Sequence, residues 1–435
     1  MEREELIFAG YCDIAGLVRG KAIAAADLDR RVAAGIGWTP TNILITAFRT
    51  IAEGPFGAFG DVLLMPDRNT RVRVDFADGT PPEHLVLCDL AETDGRPWDC
   101  CPRTLVKTAL AELEDRFGLR LLAAFEHEFH YDGLTAAEGS SYSLDAVRRQ
   151  GTLGASVTFA LRQAGIPLDA FHAEYGPCQY EITCAPALGV VAADRAVILR
   201  EIVRATAHRL GHRASFAPMV SADGLGNGVH VHLSLRDTEG RPATYDAAGP
   251  HGLSPAAGSF VAGILRHMPA LAAFTAPSAV SYLRLIPHRW SASYNNLGVR
   301  DREAGVRIAP VAEGPGRDVA AQFNFEYRAA DACASPHVAL AAIVRAGIQG
   351  LDEALPTPAA ADPETMSEAE RVDHGLARLP GSLAEALAAL EADPAAQGWF
   401  PPRFVDVYRR HKHCEAAVMA DLDPEARCAR YRAVY

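Results

Sequence analysis

Six side chains on four short segments have the types and spacing for metal chemistry. They are Glu126 and Glu128 in FEHEFHY, Glu174 and Glu181 in HAEYGPCQYEIT, His230 in GNGVHVHLSL and Glu326 in FNFEYR. In each segment they alternate with Phe, Tyr, Val or Ile, so the carboxylates would be carried toward an apolar interior. Burying unpaired carboxylates costs several kcal/mol each, and their clustering therefore demands a cation or a matching set of arginines. Hard divalent ions such as Mg²⁺ or Mn²⁺ take carboxylate oxygen, water and an occasional imidazole, and a pair of them can clamp a phosphoryl group in transfer. Five glutamates, one histidine and no cysteine suit that preference better than a structural zinc site.

A second set is cationic. The stretch SYLRLIPHRWSASYNNLGVRDREAGVRI, residues 281–308, is rich in arginine for a segment with so many apolar neighbours. Planar guanidinium groups suit bidentate recognition of carboxylate and phosphate, although arginines also serve surface solubility.

Strands are the elements that must position these groups. LRLLAAFEHEFHY alternates strongly enough to be one, which puts Glu126 and Glu128 on one face and Phe125, His127 and Phe129 on the other. The same rule pairs His230 with His232 in VHVHLSLR and Glu326 with Arg328 in FEYR. AEYGPCQYEITCA reads as a strand interrupted at Gly176 and Pro177. Helical spacing marks TLVKTALAELEDRFG, SLDAVRRQGTLGASVTFALRQAG and DRAVILREIVRATAHRLG, with further helices near 256–275, 337–351, 382–392 and 414–435 and loops near 287–300 and 310–318. Residues 6–89 are strand-rich and punctuated by Gly, Pro and Asp, and ETDGRPWDCCPR reads as a linker. The expectation is an α+β chain with a small N-terminal domain, 1–98, followed by a large domain, 99–435.

The bulk properties restrict the partners. With 435 residues, 49% hydrophobic and 22% charged, the chain is long enough for a large core. A net charge of −12 without clustered Lys or Arg argues against nucleic acid and for small molecules or copies of itself. No apolar stretch reaches the roughly 18 residues of a membrane span, and the N-terminus lacks a leader pattern, so a cytoplasmic location and no membrane partner are expected. Nine cysteines without CxxC pairs read as reduced, packing thiols.

The order of these motifs resembles the glutamine synthetase superfamily over nearly the whole chain, especially its γ-glutamyl amide ligases. DIAGLVRGK and GDVLLMPDRNT look like the family's N-terminal β-grasp domain. FEHEFH, HAEYGPCQYEI, GNGVHVHLS and FEYRAADACASPHVALAA look like successive motifs of its catalytic domain, which has a curved antiparallel sheet with surrounding helices. The resemblance implies that Glu128, Glu174 and Glu181 hold a first metal, and Glu126, His230 and Glu326 a second. It assigns Arg284, Arg328 and Gly226 to a glutamate-like substrate, and Arg302, Arg307, His232 and Ser234 to ATP. Arg302 would also act in catalysis, with Glu174 and Tyr142 receiving the amine's proton. A ring-shaped homo-oligomer is implied, possibly a dodecamer of two hexameric rings. No GxxxxGK[ST] loop is present, so a P-loop is not the nucleotide site.

The chain departs from the family at its ammonium-binding acids. The N-terminal loop reads GIGWTPTN, without an acid, and six residues after Arg284 stands Trp290, where the family carries a Glu. An indole there favours an amine with hydrocarbon, by roughly 0.8 kcal/mol for each CH₂ buried. Asn324 stands at a usual phosphate-binding Arg, Ala217 at a Lys, and Leu225 at an Asn that contacts the amino acid. Ala377 stands at the regulatory tyrosine, so control by adenylylation is not expected. The function expected is an ATP-dependent ligase joining glutamate to an organic amine. The alternatives are an ammonia-using glutamine synthetase, a non-catalytic relative and a guanidino kinase.

Overall fold

Alternating apolar residues in the first 92 positions build one six-stranded sheet in the computed structural model, which describes residues 3–435. Its strands are β1 (Leu6–Cys12), β2 (Val18–Ala24), β3 (Ile36–Trp38), β4 (Val62–Pro66), β5 (Val72–Val74) and β6 (Glu83–Glu92). They run in the order β2-β1-β6-β4-β3, with β5 also on β6, and only the β1–β6 pair is parallel. Asp13 closes the β1–β2 turn by accepting the Leu17 N–H at 2.9 Å, while Gly16 takes the positive φ the turn needs.

Residues read as a linker are packed instead. Trp98, Cys100 and Cys101 are buried, and the Trp98 ring lies 5.4 Å from Phe56. An indole this large has more to gain from burial than a solvated connection would offer. Beside it, the buried guanidinium of Arg103 reaches Asp67 at 2.8 Å, Asp89 at 3.1 Å and Asp194 at 2.8 Å, tying the first sheet to the helices that follow.

The second sheet has nine strands: β7 (Leu119–Tyr131), β8 (Leu168–Ala173), β9 (Gln179–Cys184), β10 (Ala187–Leu188), β11 (Ala214–Ser215), β12 (Val229–Asp237), β13 (Leu297–Val299), β14 (Val306–Ile308) and β15 (Phe325–Ala330). The main order is β13-β14-β15-β12-β7-β9-β8, with β10 and β11 beside β7, and every pairing but β13–β14 is antiparallel. Helix Val190–Arg209 packs on β7, and so does helix Pro102–Phe117, which also packs against helix Pro336–Asp352. They cover the face that carries Phe125, His127 and Phe129, and leave the other face for Glu126 and Glu128.

Several elements differ from the sequence pattern. The expected helix after Ser143 is two, Leu144–Arg149 and Leu153–Gln163, because Gly151 takes a φ of +62° between them. The strand read through AEYGPCQYEITCA begins only at Gln179, and β8 was not foreseen, so Glu174 lies in the connection between two strands. The C-terminal helix is likewise two, Pro402–Met419 and Pro424–Arg432, with Asp423 capping the second through the Ala426 N–H. Among the described residues no single helix is long and apolar enough to cross a membrane. The bent apolar pair Pro255–Arg266 and Met268–Thr275 is core, with most of its residues buried.

Candidate active site

Strand register lines up the chemistry. On β7 and its neighbours Glu126 stands opposite His230 and Glu128 opposite Glu181, while Glu181 is also opposite His172 on β8. Further along, Glu326 on β15 faces both His232 on β12 and Arg307 on β14. Directly paired residues share a face at close range. Six strands thus contribute to one row of polar groups, running from His172 at one edge to Arg307 near the other.

The bonds within the row differ from end to end. His230 Nδ1 lies 2.7 Å from Glu126 Oε1, and His232 Nε2 lies 3.0 Å from Glu326 and 3.5 Å from Glu126. Glu326 Oε1 also accepts from Arg307 at 2.9 Å and from Arg328 at 2.5 Å. Burial opposes ionisation of Glu326, but His232, Arg328 and His230 outweigh it and hold its carboxyl far below the usual carboxylate range. Burial likewise opposes a charge on His232, yet its bonds to Glu126 and Glu326 raise the imidazole to about 10. Glu126 is held well down in the same way, with burial overcome by His230 and His232.

The other end has His172 but no arginine bonded to its carboxylates among the described residues. Glu128 accepts the Gly228 N–H at 2.9 Å and the Gln179 amide at 3.2 Å, and burial pushes its carboxyl up. Glu181 is pushed up much further, by burial and then by the charges of Glu126, Glu128 and Glu174. Glu174 is opposed by burial but lowered overall by His172 at 3.0 Å and the Tyr142 hydroxyl at 2.8 Å.

Two groups of donors converge closely enough for a cation. Glu126, Glu181 and His230 offer atoms within 4.8 Å of one another, and so do His172, Glu174 and Glu181. The grouping differs from that drawn from the resemblance. Glu181 is shared, His172 joins the first group, and Glu128 and Glu326 stand beside the two sets. A divalent ion fits the acid-rich end, because it would take the place of the proton that Glu181 otherwise retains.

Above the row lies a cavity of about 1010 Å³ whose wall includes Glu126, Glu174, Glu181, Glu326, His232, Ser234, Tyr142, Trp290, Arg302 and Arg307. It is large enough for a nucleotide with a small acid. Arg307 has a buried Nε without a partner among the described residues, a donor available to an anion. The remaining expected residues lie outside this wall. Arg284 is buried, donating to Ser291 Oγ at 2.9 Å and to the Ala330 carbonyl at 2.7 Å, with its stem packed on Gly226. Arg328, assigned by the resemblance to a substrate carboxylate, is bonded to Glu326 and to the carbonyls of Arg302 at 3.0 Å and Trp290 at 3.3 Å.

Trp290 is exposed and its ring lies 5.9 Å from that of Tyr175. Sequence reasoning singled out neither Tyr175 nor His172, nor Glu303, which accepts the Trp290 N–H at 3.1 Å. The HxE spacing of His172 and Glu174 was a usable signal for one of them. Asn324 holds His232 Nδ1 at 2.9 Å, which gives that departure a role in orienting the imidazole.

Residues 1–98 match the glutamine synthetase N-terminal domain and residues 99–430 the glutamine synthetase catalytic domain. The chain is 33% identical to the Gamma-glutamylpolyamine synthetase GlnA3 of Streptomyces coelicolor, over 99% of this chain and 93% of that protein. It is 28% identical to the Glutamate--isopropylamine ligase of a Pseudomonas species, over 94% and 90%. A crystal structure described as a novel glutamine synthase homolog superposes with a TM-score of 0.93 at 40% identity, covering 100% of this chain and 99% of the other.

Proposed function

The chain belongs to the glutamine synthetase family, and from that footing we propose that it joins the γ-carboxylate of glutamate to an organic amine at the expense of ATP. It is an ATP-dependent ligase that forms a C–N bond. The observation that carries the choice of amine is an aromatic pair, Trp290 in the cavity wall and Tyr175 beside it. Trp290 and Tyr175 offer apolar surface where a small ammonium ion has nothing to gain and an alkyl chain does. Two relatives are named for polyamines and for isopropylamine, both of which carry hydrocarbon beside their charge.

On this reading Glu126, Glu128, Glu174, Glu181, His230 and Glu326 hold two divalent ions, Mg²⁺ or Mn²⁺, with His172 beside the first. When bound, such ions neutralise phosphate charge and hold the reacting oxygens in line. Arg302 and Arg307 hold the ATP phosphates, and His232 and Ser234 face the nucleotide from β12. Arg284, above Gly226, and Arg328 take the carboxylates of glutamate. A carboxylate oxygen of glutamate attacks the γ-phosphorus and ADP leaves, giving an acyl phosphate. The amine nitrogen then attacks the acyl carbon, phosphate leaves, and the nitrogen's surplus proton passes to Glu174, whose carboxylate Tyr142 orients at 2.8 Å.

We further propose that the chain divides at residues 98 and 99, assembles as a homo-oligomer and works in the cytoplasm. The test of function is ATP-dependent phosphate release with glutamate and a panel of ammonia, methylamine, butylamine, ethanolamine, putrescine and aniline, with the amide identified by mass. An organic amine should give the highest kcat/KM. If ammonia outperforms every organic amine, the proposal is wrong.

A further inference from the structure

The backbone around Trp290 is held where residues with a Cβ rarely sit. His288 and Trp290 have φ angles of +61° and +53°, in the left-handed region. Both of their N–H groups donate to one carboxylate, that of Glu303, at 3.2 and 3.1 Å. Each Glu303 oxygen takes one of them, so the group is committed to the loop. Glu303 is itself fixed, since its N–H donates to Asp301 at 2.9 Å. The Trp290 carbonyl is held from the other side by Arg328 at 3.3 Å. The indole is 56% exposed and Tyr175 57%, so core packing does not hold the pair together. The backbone bonds must do it.

We propose that Glu303 is a positioning residue for amine selectivity: its carboxylate fixes the left-handed loop that presents Trp290 to Tyr175 across the amine side of the cavity. The proposal rests on the amide-forming reading above and assigns the selective surface to a residue outside the row of metal-type ligands. Loss of the carboxylate frees two N–H groups and lets both φ angles relax. The indole then leaves Tyr175, and an amine with hydrocarbon loses the wall it would pack on. The Glu303 carboxylate bonds only the His288 and Trp290 N–H groups and none of the arginines assigned to glutamate and ATP, so their binding changes less than that of the amine.

The experiment compares the full-length protein with E303A, E303Q, W290F, E303A/W290F and E303Q/W290F. Acrylamide quenching of the Trp290 emission, taken as the difference between each protein and its W290F counterpart, should rise in E303A and less in E303Q, which keeps one acceptor oxygen. The KM for butylamine should rise about tenfold in E303A, with kcat and the glutamate KM moving less than about twofold. In the W290F background, E303A should add nothing, because both changes act through one ring. Unchanged quenching and butylamine KM in E303A would overturn the proposal, as would equal rises in the KM for glutamate, ATP and butylamine. Should the parent protein make no amide from any organic amine, the functional reading fails while the quenching comparison still decides the role of Glu303.

Discussion

Gly226→Ala offers a direct test of the acid-binding assignment, because the structure gives the size of the intrusion. A Cβ at position 226 would lie 2.5 and 2.6 Å from Arg284 Cγ and Cδ and 2.9 Å from the Pro218 carbonyl oxygen. Carbon atoms in contact prefer about 3.5–4.0 Å, so the Arg284 stem must move by about 1 Å. It has little room, being 3% exposed with its guanidinium bonded to Ser291 and Ala330. A shift of that size breaks the alignment of a charge-assisted bond, a loss of about 1.5–3 kcal/mol, or roughly ten- to 150-fold in kcat/KM for glutamate. Overpacking should also lower stability by about 1–3 kcal/mol. Phosphate release would be followed at saturating ATP and metal with glutamate varied, and Mn²⁺ binding followed by electron paramagnetic resonance would report an intact strand row. Gly228→Ala gives a graded control, since its Cβ would meet only side-chain tips, Arg284 Nη1 at 3.2 Å and His230 Nε2 at 3.3 Å. If G226A folds, binds Mn²⁺ like the parent and keeps its kcat/KM for glutamate within about twofold, Arg284 does not hold the acid and the reasoning fails.

Other outcomes follow from the same geometry. Glu181, raised by burial and neighbouring carboxylates, keeps a proton that the unfolded chain releases above the ordinary carboxylate range, so metal-free stability falls as pH rises toward the raised value. His232, raised to about 10, contributes stability that is complete below its unfolded pKa and is lost as pH climbs through the folded one. Mn²⁺ affinity should therefore increase with pH by up to about tenfold per unit, with one proton released, and calorimetry in two buffers should find that slope abolished in E181Q. His172→Ala should weaken binding of the first Mn²⁺ about tenfold, because the imidazole lies 3.0 Å from Glu174 and 3.5 Å from Glu181, and an unchanged isotherm would remove His172 from the metal's surroundings. Tyr142→Phe removes the 2.8 Å bond to Glu174, so kcat with a saturating amine should fall about fivefold and the acidic limb of its pH profile should move upward.

The row of ligands was legible on each strand but not across strands. Alternation in FEHEFHY predicts which face Glu126 and Glu128 share, and β7 keeps that alternation. Nothing in one segment says that Glu128 will stand opposite Glu181, or Glu326 opposite Arg307, because register is settled by pairing over long sequence separations. His172 was missed for a related reason. It sits on β8, a short, partly exposed edge strand whose pattern is weak. Glu303 gave no signal because its partners are backbone N–H groups, and a loop acid between arginines reads as surface charge. The surroundings of Arg328 were hidden for a different reason. Spacing placed it correctly beside Glu326 but could not reveal that the two would pair with each other.

That pairing makes the two ends of the row unequal. At the Glu326 end, Arg307, Arg328 and His232 already supply positive charge, so an incoming cation meets groups of its own sign. At the Glu181 end the acids outnumber the cations, and burial makes each further negative charge expensive. A divalent ion entering there would replace a proton and break no arginine–carboxylate pair. Near Glu326, on the proposed function, a triphosphate that draws Arg307 toward the cavity would leave a carboxylate oxygen open to a cation. On that reading nucleotide and second ion would be coupled through Arg307, each raising the other's affinity by the same factor.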